Sequence, residues 1–164
     1  MKNNIITFIC LLALLAGQMS AQQTTNVEKT DSIVDILPQL TGSDRLEALS
    51  TLINLTAGLP AQKEITFQYL NEARRQKNVE AESTALLRLT LIYFSHFDSD
   101  SIFIIGEEAI RFARLHNRYD DLFLAQSEII RRYKAEGKFL IALRKAEEAY
   151  AEAKELTKTG SLQG

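Results

Sequence analysis

Residues 123–156, FLAQSEIIRRYKAEGKFLIALRKAEEAYAEAKEL, decide the fold. Leu122, Ala125, Ile129 and Tyr133 recur three or four apart, the spacing of one helix face. Gly137 closes that helix, because glycine enters a left-handed turn without steric cost. A second helix follows, with Phe139, Ala142, Leu143, Ala146, Ala149, Tyr150 and Ala153 on its apolar stripe. Glu148-Ala149 repeats Glu108-Ala109 and Glu72-Ala73, at intervals of 40 and 36 residues. A period in this range is the mark of stacked helix pairs. One such pair cannot bury its own apolar face and leans on the next. The expected fold is all-α, a right-handed solenoid of about three helix pairs over residues 43–156.

Working towards the N-terminus, the same period recurs. Ile102, Ile105, Ala109, Phe112 and Ala113 mark one helix, and Asn117 to Asp121 the break after it. Ala85, Leu89, Ile92 and His96 form one line of the preceding helix, with Leu86, Tyr93 and Phe97 beside it. Ile65, Tyr69 and Ala73 define another helix, whose basic end, Arg74, Arg75 and Lys77, suits the negative pole of the helix dipole. Leu46, Leu49 and Ile53 mark the first helix, with Ser43 or Asp44 as cap and Gly58-Leu59-Pro60 as its stop. No stretch alternates with period two, so no strand is expected.

The N-terminus gives an address. Met1 to Asn4 carries one basic residue, Ile5 to Ala16 is apolar, and Gly17 to Ala21 turns small and polar. That is the order of a secretory signal peptide, residues 1–21. The apolar run is short of the roughly 20 residues that span a bilayer. Cys10, the only cysteine, lies inside the run, so the chain after Ala21 has no thiol or disulfide chemistry. Residues 22–42 read as a leader, polar to Thr30, then a short helix or arm that Pro38 ends. Without Lys2 the chain has 18 basic and 21 acidic residues, a net charge of about −3. So mild a balance gives no basic face for nucleic acid. The expected location is the periplasm or cell envelope, with no membrane span in the chain after Ala21.

The last helix pair resembles a tetratricopeptide repeat, a helix-turn-helix of 34 residues. The resemblance rests on Ile129, Tyr133, Gly137, Ala142 and Ala149, with Gln126, Ile130 and Ala146 departing from the usual pattern. Residues 83–116 keep Leu89, Tyr93 and Ala109, and residues 47–80 keep Ile53 and Ala73. Small residues at these places let paired helices approach closely while tyrosine fills the gap beside them. The leader, Asp31-Ser32-Ile33 to Leu40, then Gly42 and Arg45-Leu46-Glu47, is also similar to the periplasmic front of Bacteroidetes-type membrane sensors. That likeness implies a sensing front end followed by a membrane helix and an output module. Residues 157–164 read as a tail after an array without a polar capping helix, as expected of the start of a longer chain.

In the tetratricopeptide family the first helix of each unit lines a concave groove. The resemblance places Thr84, Leu87, Leu91 and Phe94 there in one unit, and Leu124, Ser127, Arg131 and Lys134 in the next. Arg131 and Lys134 would receive an acidic peptide or a carboxylate, although a solvated helix face explains them too. Leu87, Leu91 and Phe94 make their helix apolar nearly all round, which an interior position explains most simply.

Catalytic and metal patterns are poorer. His96, Asp98 and Asp100 form an apparent metal cluster, and Asp98-Ser99-Asp100 begins like a calcium loop. Phe103 and Ala109 stand where that loop needs Gly and Glu, so a capping turn is the simpler reading. His116 reads as a helix-end residue. No glycine-rich phosphate loop is present. The reading is therefore of a non-enzymatic module that binds a protein or peptide, with no cofactor and no metal. A free-standing exported scaffold of the envelope is the alternative, and a small hydrolase or metal binder using His96 or His116 a distant third.

Overall fold

The computed structural model describes residues 26–95 and 99–160. The signal-peptide segment, His96, Asp98 and residues 161–164 lie outside the described residues. The chain is all-α, with no strand among the described residues. Its helices are α1 (26–36), α2 (Gly42–Leu55), α3 (Ala61–Gln76), α4 (Val79–Ser95), α5 (Ser99–Leu115), α6 (Tyr119–Ala135) and α7 (Phe139–Lys158). A 3-10 turn, Leu37–Gln39, separates α1 from α2. None of these helices is long and apolar enough to cross a membrane.

Two compact units divide between Gln62 and Lys63. The first holds α1 and α2. Residues 26–30, read from composition as a flexible leader, are already helical here. Asn26, Val27, Thr30 and Asp31 of α1 share a cleft with Leu55, Thr56, Ala57 and Leu59 at the end of α2 and just beyond it. Arg45 donates to the Leu37 carbonyl and ties the 3-10 turn to α2. Beyond α2, Gln62 bridges the turn: its amide nitrogen donates to the Ile53 carbonyl, and its oxygen accepts from the Gly58 N–H.

The second unit is a regular helical repeat. α4, α5, α6 and α7 begin at Val79, Ser99, Tyr119 and Phe139, each 20 residues after the last. α4 packs on α5, α5 on α6 and α6 on α7, while α4 also touches α6. One pair thus spans 40 residues, longer than the 34 that the resemblance led one to expect.

This spacing revises the Glu-Ala register. Ala109 and Ala149 are equivalent, but Ala73 aligns with Ala113 and Ala153, one turn nearer the helix end. The side chains alternate in size with the same 40-residue period. α4 and α6 carry Leu89 and Ile129, then Tyr93 and Tyr133; α5 and α7 carry Ala109 and Ala149, then Ala113 and Ala153. Leu89, Ala109, Ala113 and Ile129 are all buried. Where Ile129 of α6 faces Gly106 of α5, a large side chain meets the smallest residue, an arrangement that lets helices approach closely. At Gly106 a Cβ would lie 2.5 Å from Cδ1 of Ile129.

The turns repeat as well. Lys77, Asn117 and Gly137 all have positive φ, at 54°, 56° and 72°. After each, the next N–H reaches back five residues: Asn78 to the Ala73 carbonyl, Arg118 to Ala113 and Lys138 to Tyr133, at 2.8–2.9 Å. This is the Schellman stop, which satisfies carbonyls that the helix end would leave bare. Lys77 is thus a turn residue in the left-handed region as well as a charge near the dipole.

α7 departs from the sequence reading. Of its apolar stripe only Ala142 is buried. Phe139, Leu143 and Tyr150 are exposed.

The turn geometry yields a stability test. Gly137→Ala places a Cβ in the left-handed region and is expected to cost about 1 kcal/mol. Lys77→Gly removes that strain and is expected to gain up to about 1 kcal/mol. Urea denaturation of the two variants checks both signs.

Candidate functional site

The A-type helices α4 and α6 bring the sequence-predicted groove residues onto adjoining stripes. Leu87, Leu91 and Phe94 lie three or four apart on α4, and Leu124, Ser127, Arg131 and Lys134 on α6. The stripes meet where the Arg131 guanidinium sits 4.3 Å over the Phe94 ring. A cation over an aromatic face contributes about 0.5–1 kcal/mol at an exposed site. The same guanidinium donates to Glu128 at 2.7 Å. Its plane is thus fixed from two sides while more than half of the side chain faces solvent. Ser127 donates its hydroxyl to the Leu124 carbonyl, and Lys134 is exposed.

The interior-helix explanation of α4 holds for one side only. Ala85, Leu86, Leu89 and Ile92 are buried, but Leu91 is 43% exposed, and Leu87 and Phe94 are half-buried. Leu124, across on α6, is 52% exposed. The result is an apolar strip with cations at one end. It can hold an extended or helical segment by its aliphatic side chains and an acidic group by Arg131, through a planar two-pronged contact.

A second polar cleft, of about 180 Å³, lies among α5, α6 and α7, a constellation that the sequence reading did not pick out. Arg114 donates to both Glu152 oxygens, at 2.6 and 3.0 Å, and Gln126 donates to Glu152 at 2.8 Å. The hydrogen bond from Arg114 holds the Glu152 carboxyl below the usual range, with Gln126 adding to the effect. Reciprocally, Glu152 raises the Arg114 guanidinium. Forty residues earlier, Arg74 bonds two separate carboxylates, Glu82 and Glu108. Both arginines stand at the end of a B-type helix (α3, α5, α7) and reach the next B-type helix. The only advance signal was the recurrence of Arg forty residues apart, with an acid 34 to 38 residues beyond each.

His116 is half-buried and stacks on Phe112 with ring centroids 4.4 Å apart. Asp121, near it in sequence, is engaged elsewhere: it accepts from Ser83 at 2.7 Å and from Arg118 at 3.0 Å. Asp100 is exposed, and its suggested partners His96 and Asp98 lie outside the described residues. Among the described residues, no three His, Cys, Asp or Glu side chains gather as a metal site requires. The α5–α7 cleft is lined by Glu, Arg, Lys, Gln and Ile, with no Ser, Cys or His among its lining residues.

No family model, no curated protein and no solved structure matches the chain.

The Arg114–Glu152 pair predicts a pH effect. The folded pKa of Glu152 is depressed, so its contribution is present above the unfolded carboxylate pKa and is lost as pH falls through the folded value. Both side chains are partly exposed, which limits the effect. Arg114→Gln is expected to lower stability by about 0.5–1 kcal/mol at neutral pH. The difference from the parent should narrow on acidification. In a carboxyl NMR titration, the Glu152 midpoint should move up towards the ordinary carboxylate range.

Proposed function

We propose that the chain is an exported, non-catalytic interaction module of tetratricopeptide type, the periplasmic sensing front of a larger membrane signalling protein. The solenoid, the signal peptide over residues 1–21 and the sensing role belong to this reading. What carries it is the α4–α6 strip, where Leu91 and Leu124 are exposed and the Arg131 guanidinium lies 4.3 Å over the Phe94 ring. Apolar side chains left exposed in a row next to an oriented cation suit a peptide with aliphatic residues and an acidic end. The regular 40-residue repeat supports the reading further, because rigid units in register can pass a small shift at one strip to the next.

In this mechanism the ligand's aliphatic side chains settle on Leu87, Leu91 and Leu124. Its carboxylate displaces Glu128 from the Arg131 guanidinium, with Lys134 adding charge. The cation–π contact to Phe94 keeps Arg131 in place during that exchange.

A fluorescein-labelled peptide ending in Leu-Glu-Glu-Leu with a free carboxylate is a suitable probe. Binding should be saturable in low salt and weaken as ionic strength rises. Leu91→Asp or Arg131→Ala should reduce it at least about tenfold. Binding indifferent to both changes, or catalytic turnover by the purified chain, would sink the proposal. Protein recovered after export should begin at Gln22 by N-terminal sequencing.

A further inference from the structure

The cleft among α5, α6 and α7 occupies places that the preceding repeat fills with apolar side chains. α5 and α7 form its walls and α6 its floor. Forty residues earlier, Leu86 stands in the place of Gln126, Phe67 in that of Glu107, Ile105 in that of Lys145 and Phe112 in that of Glu152. Leu86 is fully buried. The apolar floor is kept, with Ile129 where Leu89 stands. Gln126 is half-buried, and its amide nitrogen donates to Glu152 at 2.8 Å. A carboxylate only accepts, so this bond fixes which end of the amide is nitrogen and turns the oxygen away from Glu152. That oxygen is buried and accepts no hydrogen bond. Packing alone is better served by the leucine of the preceding repeat, since an unmet buried acceptor costs stability. A repeat that breaks its own apolar pattern at four places around one cleft, and leaves an acceptor unmet there, marks a functional site.

We propose that this cleft binds a small primary-amine cation carrying a short aliphatic chain. The unmet group is an acceptor, so the ligand must bring a donor. The lining sets three carboxylates, Glu107, Glu148 and Glu152, against two cations, Arg114 and Lys145, and so favours a positive charge. Both cations are already engaged, Arg114 with Glu152 and Lys145 with Glu148 at 3.1 Å. An anion would have to break one of these pairs. Glu107, exposed on α5, makes no direct ion pair among the described residues and acts on Arg114 only at a distance. The ammonium donates to Gln126 Oε1 and is balanced by Glu107, while the alkyl chain lies on Ile110, Ile129 and Ile130. Arg114 holds Glu152 through two bonds, so the Gln126 amide can turn towards the ligand without stranding that carboxylate. The size agrees. A cavity of about 150 Å³ holds benzene, so one of about 180 Å³ holds an amine of about five or six heavy atoms. The cleft shares no residue with the α4–α6 strip, and the inference stands whether or not that strip binds peptide.

The test follows the full chain by proton–nitrogen NMR while n-butylammonium is added at constant ionic strength. The Gln126 side-chain amide and the backbone amides around the cleft should shift along a saturable curve, with Kd below about 10 mM. Butan-1-ol has the chain without the charge, and tetramethylammonium has the charge without an N–H. Each should bind at least about tenfold more weakly. Gln126→Leu restores the residue of the preceding repeat, and Glu107→Gln removes a charge at an exposed position. Each should weaken butylammonium binding at least about tenfold. Circular dichroism melting checks that each variant is folded, and either one suffices. A Kd above about 10 mM would overturn the proposal. So would equal binding of butan-1-ol or tetramethylammonium, or binding unaffected by both substitutions.

Discussion

The packing of Ile129 into the space that Gly106 leaves on α5 is the constraint on which the second unit depends. Thr90 of α4 lies 3.5 Å from the position a Cβ would take there, so three helices converge at one missing side chain. Close approach at that point brings Phe103 onto Tyr133 one turn away, and Ile110 lines one cleft with Ile129 and Ile130. Thr90 itself is fully buried, and its hydroxyl is satisfied by the Leu86 carbonyl at 2.9 Å. A buried hydroxyl is tolerable only with such a partner. At this contact a large side chain on α6 meets the smallest residue on α5, while one turn away Tyr133 meets Phe103 ring to ring.

Polar interactions then fix the register that packing permits. Ser83 to Asp121 joins α4 to α6, Arg74 to Glu108 joins α3 to α5, and Arg114 to Glu152 joins α5 to α7. Each links helices of the same type in successive pairs. Individually these are partly exposed ion pairs or hydrogen bonds and contribute little. Their value is directional. A slide of one helix by a turn would break them while leaving much of the apolar contact intact. The turns at Lys77, Asn117 and Gly137 hold one backbone geometry, so α4, α6 and α7 each follow the same kind of stop.

Much of this was legible in the chain. The helical period of Leu122, Ala125, Ile129 and Tyr133 marked α6, and Gly137 marked its end. The stripe Leu124, Ser127, Arg131 and Lys134 could be placed on one helix face from spacing alone. The Phe94–Arg131 contact could not, because it depends on how close α4 comes to α6. The 40-residue unit was also obscured. Ala is common in these helices, and a Glu-Ala pair four residues off register looks the same in sequence as one in register. Asn117 carried a sign of positive φ, since asparagine tolerates the left-handed region, but Lys77 carried none. The helix over residues 26–36 was hidden by a polar composition that suits a leader equally well.

The sequence by itself determined that the described chain is helical, where most helices stop, and which side chains share a face, because those follow from local spacing and backbone preference. Only the tertiary structure decided which of those faces are covered. Leu89 and Tyr150 belong to equally plausible apolar stripes, yet one is buried and the other is 71% exposed. Periodicity records that a helix has an apolar side; burial requires a neighbour, and the neighbour is a property of the packed array.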